Sequence, residues 1–149
     1  IPDETSRNGI NIYLRCNSRR TVTNFNEIDA YLESQGFKLI DPLDMLPLQL
    51  LELAKNAALV ISEQGSIVLN LLLCRAKDYI VLTPNNESTL SLSDYAGGYM
   101  FNQIGNGNMI ELRCSVASED KDRKHYFSQL IKVDLQELGS LIKSLERGS

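Results

Sequence analysis

Short apolar runs rich in β-branched residues alternate along this chain with segments of helical period. Ala58-Leu59-Val60-Ile61-Ser62 and Tyr79-Ile80-Val81-Leu82-Thr83 show no polar alternation. A strand that is apolar on both sides must be covered on both sides, which a parallel sheet flanked by helices provides. Strands alternating with helices of ten or so residues lead to the same arrangement. The expected fold class is α/β, a doubly wound and mainly parallel sheet of five or six strands.

The other elements fit that frame. Ile10 to Leu14 alternates like a strand. Asn24 to Gln35 reads as a helix with Ile28, Tyr31 and Leu32 on one stripe, and Gly36 supplies its stop. Phe37 to Ile40 is a second strand, closed by Asp41-Pro42. Pro47 suits the first position of a second helix, with Leu48, Leu51 and Ala54 expected on its buried face. Ser66 to Arg75 is expected to be helical, and Pro84 ends the strand that starts at Tyr79. Later in the chain, Asp94 to Asn102 reads as a short helix, and Asn108 to Arg113 and Phe127 to Val133 as strands. Asp134 with Glu137 marks the start of a final helix that carries Leu138, Leu141, Ile142 and Leu145.

With 149 residues, 43% of them hydrophobic, the chain has enough apolar content for one full core. A chain of this length buries roughly 70% of its unfolded surface, so one domain is expected over 1–149 and disorder is excluded. The longest near-apolar run, Ile67 to Cys74, is broken by Asn70 and falls far short of the ~20 residues a membrane span needs. A net charge of −4 argues against a nucleic-acid partner, whose binding domain is usually basic. Cys16, Cys74 and Cys114 are odd in number and widely spaced, which fits neither a disulfide framework nor a zinc site. A reducing, cytoplasmic location is therefore expected. The chain starts at Ile1 without a leader-like run, as a processed chain or an excised domain would.

In a doubly wound sheet the ligand crevice lies outside the carboxyl ends of the strands. Four loops are expected there: Arg15 to Arg20, Asp41 to Leu46, Glu63 to Ser66, and Pro84 to Ser88. The first holds Arg15, Arg19 and Arg20 and no glycine, so it is not a GxGxxG dinucleotide turn. Its arginines suit a phosphate or diphosphate, or else solubilise a surface loop. The third places Gly65 and Ser66 before a helix, where backbone N–H groups attract anions. Asn70 lies one turn further, among leucines, and its amide needs a partner in the core or in a ligand. Asp120-Lys121-Asp122 lies in a charge run, Ser118 to Lys124, that reads as a solvated loop, and the single histidine, His125, adjoins it as a surface residue. No metal site, cofactor motif, nucleophile elbow or P-loop is present in the sequence.

From Ile12 to Pro84 the ordered set of these features resembles the carboxyl-terminal region of glycosyltransferase family 61, the capsular polysaccharide biosynthesis type. The resemblance rests on Tyr13-Leu14-Arg15, the pair Arg19-Arg20, Asn26-Glu27-Ile28, Leu32, Gly36-Phe37, Ala57, and Leu59-Val60-Ile61. The family's glycine-rich signature falls on Gln64-Gly65-Ser66 and Asn70. The resemblance implies the Rossmann-like, donor-binding half of a GT-B-type fold. Its partners would be a nucleotide-sugar donor, a glycan acceptor and an amino-terminal domain outside this chain. In that picture Arg15 and Arg20 hold the diphosphate, Gly65 and Ser66 approach it, and Gln64 and Asn70 hydrogen-bond to donor or loop. Alanine at both arginines is then expected to abolish donor binding while leaving thermal stability nearly unchanged. No catalytic base is assigned; Glu63 is a neighbour of suitable chemistry. Gln64 stands where the family has His, and Val81 where an acidic residue is common. Two rival readings follow: a domain that has lost catalysis, and a pyruvyl-transferase-like domain using the same arginines for phosphoenolpyruvate.

Overall fold

The first strand, β1 (Ile10–Leu14), lies inside a six-stranded sheet with β2 (Lys38–Ile40) on one side and β3 (Ala57–Glu63) on the other. The computed structural model describes residues 9–17, 20–55, 57–63, 78–85, 108–117 and 130–147. The order continues through β4 (Asp78–Pro84) and β5 (Asn108–Val116) to β6 (Ile131–Lys132). All neighbours from β2 to β5 pair in parallel, and β6 runs antiparallel to β5. The parallel α/β sheet expected from the apolar strands is thus present. The expected helices at Ser66–Arg75 and Asp94–Asn102 and the charge run lie outside the described residues.

Side-chain alternation divides the core between the two sheet faces. Tyr13, Ile61, Ile80, Leu82 and Leu112 pack with Ile28 and Leu32 of α1 (Phe25–Ser34) and with Leu138 and Ile142 of the last helix (Leu135–Arg147). Ile12, Leu14, Ile40, Val60 and Tyr79 pack with Leu50 of α2 (Pro47–Lys55) on the other face. Helices on both faces account for the unbroken apolar runs Ala57 to Ile61 of β3 and Tyr79 to Leu82 of β4, whose polar neighbours fall at the strand ends. Numbered in chain order among the described helices, the last one is α3.

The end of α1 shows how local chemistry sets an element boundary. Gly36 adopts φ +86°, the N–H of Phe37 reaches the Leu32 carbonyl at 3.0 Å, and that of Gly36 reaches Glu33 at 3.0 Å. This is a Schellman closure, and its accompanying apolar contact is Phe37 with Leu32, both buried in one cluster. Helix α3 starts as the sequence indicates, with the Glu137 N–H donating to Asp134 Oδ1 at 3.0 Å.

Two expectations need correction. Helix α2 buries Leu50 and packs Leu53 against the core, whereas Leu48 is 75% exposed. Leucines at 48, 50, 51 and 53 admit more than one stripe, and the contact with Ile40 and Val60 selects the one through Leu50. Of the expected stripe, only the Leu48 side chain is among those described. Strand β5 runs to Val116 instead of Arg113, because Ser115 and Val116 pair with Lys132 and Ile131. That pairing also confines the described part of the last strand to Ile131–Lys132.

Candidate functional site

The described parallel strands follow the order 2-1-3-4-5, whose topological switch point lies between β1 and β3. Leu14 is in register with Ser62 on one side and Ile40 on the other, so three strands end at nearly one level. Glu63, the last residue of β3, and Arg15 and Asp41, which directly follow β1 and β2, mark the candidate site.

Arg15 is fixed at its backbone, where its N–H donates to the Ile40 carbonyl at 3.0 Å. Its side chain is half-buried, and the buried Nε has no hydrogen-bond partner among the described residues. Ser62, fully buried beside Leu14, has an unpartnered Oγ in the same sense. A buried donor on a charged group is costly to leave unsatisfied, so a nearby anion would be favourable there.

Arg20 is in a different situation. Its Nε donates to Glu63 Oε1 at 3.2 Å, and its two terminal nitrogens donate to the Asp29 oxygens at 3.1 and 2.9 Å. The guanidinium carbon lies 4.7 Å from the Phe25 ring centroid, and only 12% of the side chain is exposed. Burial works against its charge, but the hydrogen bond to Asp29 and the negative charge of Glu63 more than offset this and raise its pKa. The expectation that Arg20 can be removed without thermal consequence is therefore corrected: a bidentate, largely buried ion pair holds it in the fold.

Glu63 completes the cluster. Tyr13 donates its hydroxyl to Oε1 at 3.2 Å, and the Thr21 N–H approaches Oε2 at 3.4 Å. Burial pushes the Glu63 carboxyl up, against the pull of Arg20 and of these donors. Burial, and then the negative charge of Glu63, push the Tyr13 hydroxyl well above its usual range, so it stays a donor. Both Glu63 oxygens are engaged in an enclosed network, the geometry of a structural anchor rather than of a base facing substrate.

Asp41 lies at the end of β2. Its Oδ2 accepts from the Asn17 N–H at 2.9 Å and its Oδ1 from the Leu43 N–H at 3.0 Å. These two backbone donors, in that order, hold its carboxyl below the usual range, with the positive charges of Arg15 and Arg20 adding to the effect. The carboxylate thereby ties the loop after β1 to the loop after β2.

The structure brings Arg15 and Arg20 to the same strand end, one with an open donor and one engaged. Gln64, Gly65, Ser66 and Asn70 lie outside the described residues. The sequence marks the loop Asp41 to Leu46 and assigns no role to Asp41 itself, although an acid directly after a strand and before Pro42 is a usable signal. The Arg20–Asp29 pair has no comparable signal, because eight residues of loop and helix separate the two. Val81, at the position where the resemblance places an acid, is fully buried and in register with Glu111 of β5. Cys114 is a core residue whose thiol burial pushes up to about 12. Among the described residues no group of three or more His, Cys, Asp or Glu is placed to hold a metal, and no helix is long and apolar enough to cross a membrane. In comparisons with known proteins, no family model and no curated protein matches this chain.

Proposed function

We propose that the crevice at the ends of β1 and β3 binds a phosphoryl group, and that the chain is the donor-binding domain of a glycosyltransferase that takes a nucleotide-sugar. The observation that carries the reading is Arg15, whose buried Nε has no partner among the described residues at the switch point of the sheet. Phosphate oxygens satisfy such a donor with a charge-assisted bond. In this reading Arg15 contacts the diphosphate and stabilises it as leaving group. Arg20 acts one step back, by holding the loop that carries Arg15. Gln64, Gly65, Ser66 and Asn70 complete the donor site, and the acceptor is a glycan presented with a second, amino-terminal domain. The fold would then be the Rossmann-like half of a GT-B-type enzyme of the cytoplasm, inactive in isolation.

The test is a thermal-shift panel of UDP, GDP, CMP and phosphoenolpyruvate on the chain and on its Arg15→Ala variant. Ligand at 100 times its dissociation constant adds about 2.7 kcal/mol. For a domain of this size that is a rise of roughly 5–10 °C. A selective shift with one nucleotide, lost in Arg15→Ala, supports the reading. A shift with phosphoenolpyruvate alone redirects it to pyruvyl transfer, and an undiminished shift in Arg15→Ala refutes the site.

A further inference from the structure

The apolar core on the α2 side of the sheet reaches the surface at the β2 edge. β2 is the outermost strand there, and a groove between it and α2 is lined by Ile40, Met45, Leu48 and Leu53. Ile40 belongs to the buried cluster of that face, and Met45 and Leu53 pack against it. Along the same stretch of chain Leu43, Leu46 and Leu48 are 71%, 67% and 75% exposed, all within six residues. Scattered exposed leucines need no explanation, but a group of them at an apolar groove marks a contact surface.

The backbone that carries these leucines is fixed. The Leu43 N–H donates to Asp41 Oδ1 at 3.0 Å, and the Asp44 N–H to the Asp41 carbonyl at 3.0 Å. The Leu46 N–H donates to Gln49 Oε1 at 2.9 Å. A partner therefore meets an ordered surface and loses little entropy in covering it.

The charges select the partner. Lys38 lines the groove from β2 and Glu52 from α2, and both are exposed. Neither makes an ion pair within 4.0 Å among the described residues. One positive and one negative group on the two sides of an apolar groove complement themselves under a two-fold axis. The other charged residues between positions 38 and 52 are Asp41 and Asp44, so the segment is acidic. That disfavours an anionic membrane surface, which attracts basic segments.

We propose that this face binds a second copy of the chain in a two-fold dimer. The exposed leucines pack together, and Lys38 of each copy lies against Glu52 of the other. β2 has only three residues and carries a lysine, so side chains make the contact and the two sheets do not join. A specific dimer covers about 800 Å² on each copy, so the turn after β2 and the exposed side of α2 are covered together. The dimer is independent of the ligand at Arg15.

The experiment is sedimentation equilibrium of the chain over a wide range of concentration, repeated on Leu48→Asp, Lys38→Glu and Glu52→Lys. The unaltered chain is expected to pass from monomer to dimer as concentration rises, and Leu48→Asp to remain a monomer. Leu48 is exposed and near the N-terminus of α2, where an acid is tolerated, so this variant melts like the dilute parent. Each charge variant sets like charges opposite each other and weakens the dimer at least about tenfold. An equimolar mixture of Lys38→Glu and Glu52→Lys restores opposite charges at both contacts and recovers the dimer. A chain that is monomeric at every concentration overturns the proposal, as does a dimer that Leu48→Asp leaves intact. Charge variants that dimerise like the parent, or that weaken the dimer but do not recombine when mixed, overturn the two-fold pairing. A monomer that cosediments with phosphatidylglycerol vesicles, and loses this in Leu48→Asp, overturns it in favour of a membrane.

Discussion

Removing the Arg20 side chain strands two carboxylates, one of them buried, and breaking a buried pair in this way costs about 3–5 kcal/mol. We expect Arg20→Ala to melt about 6–20 °C below the parent in a calorimetric scan. Arg15→Ala should melt within about 2 °C of it, because no ion pair or side-chain hydrogen bond among the described residues is lost. Equal effects of the two substitutions would contradict the division of roles. The adjacent Glu63 makes a second prediction. Its pKa is raised in the folded protein, so its contribution to stability is fully present below the ordinary glutamate value and is lost as pH rises through the folded value. Glu63→Gln removes that titration. The stability of the parent relative to the variant should therefore fall as pH rises above the ordinary glutamate value in denaturant titrations, and a flat or rising difference would contradict it. At this scale the sequence shows Arg15 and Arg20 as equivalent members of a basic loop. What separates them is Asp29, Phe25 and Glu63, partners set by the course of the chain and not by spacing.

Helix ends were legible because their chemistry is local. Gly36 after α1 and Asp134 before α3 each sit within a few residues of the groups they satisfy. Gly36→Ala meets no atom within 4 Å, so its cost is the left-handed backbone alone, about 1–2 kcal/mol, readable in a urea titration. The buried face of α2 was not legible, since a leucine-rich segment has several apolar stripes and only the sheet beneath it decides. Leu50→Ala should lose about 2–5 kcal/mol and Leu48→Ala less than about 0.5 kcal/mol in the same assay. The reverse order would restore the face first expected from the sequence.

Across the whole molecule, apolar strands and intervening helices foretold a parallel sheet covered on both faces, but not the strand order or the return of the chain on itself. The segment after the first loop joins the far strand: Val22 bridges Ile131, and the Asn24 amide exchanges hydrogen bonds with both the N–H and the carbonyl of Val133. That contact spans 109 residues, and no local pattern encodes it. Together with the Arg20 cluster it holds down the chain that follows Arg15. These contacts surround the Arg15 guanidinium, whose buried Nε has no partner among the described residues, and an anchored surround suits a site that binds an anion without rearranging.

The central claim is that Arg15, and not Arg20, meets the ligand. Arginine Nε–H resonances, assigned by Arg15→Ala and Arg20→Lys, report on each guanidinium separately during titration with UDP, GDP or CMP. A saturable shift of the Arg15 resonance with one nucleotide is expected, while that of Arg20 stays in place. A nucleotide that moves Arg20 and leaves Arg15 unshifted would contradict it.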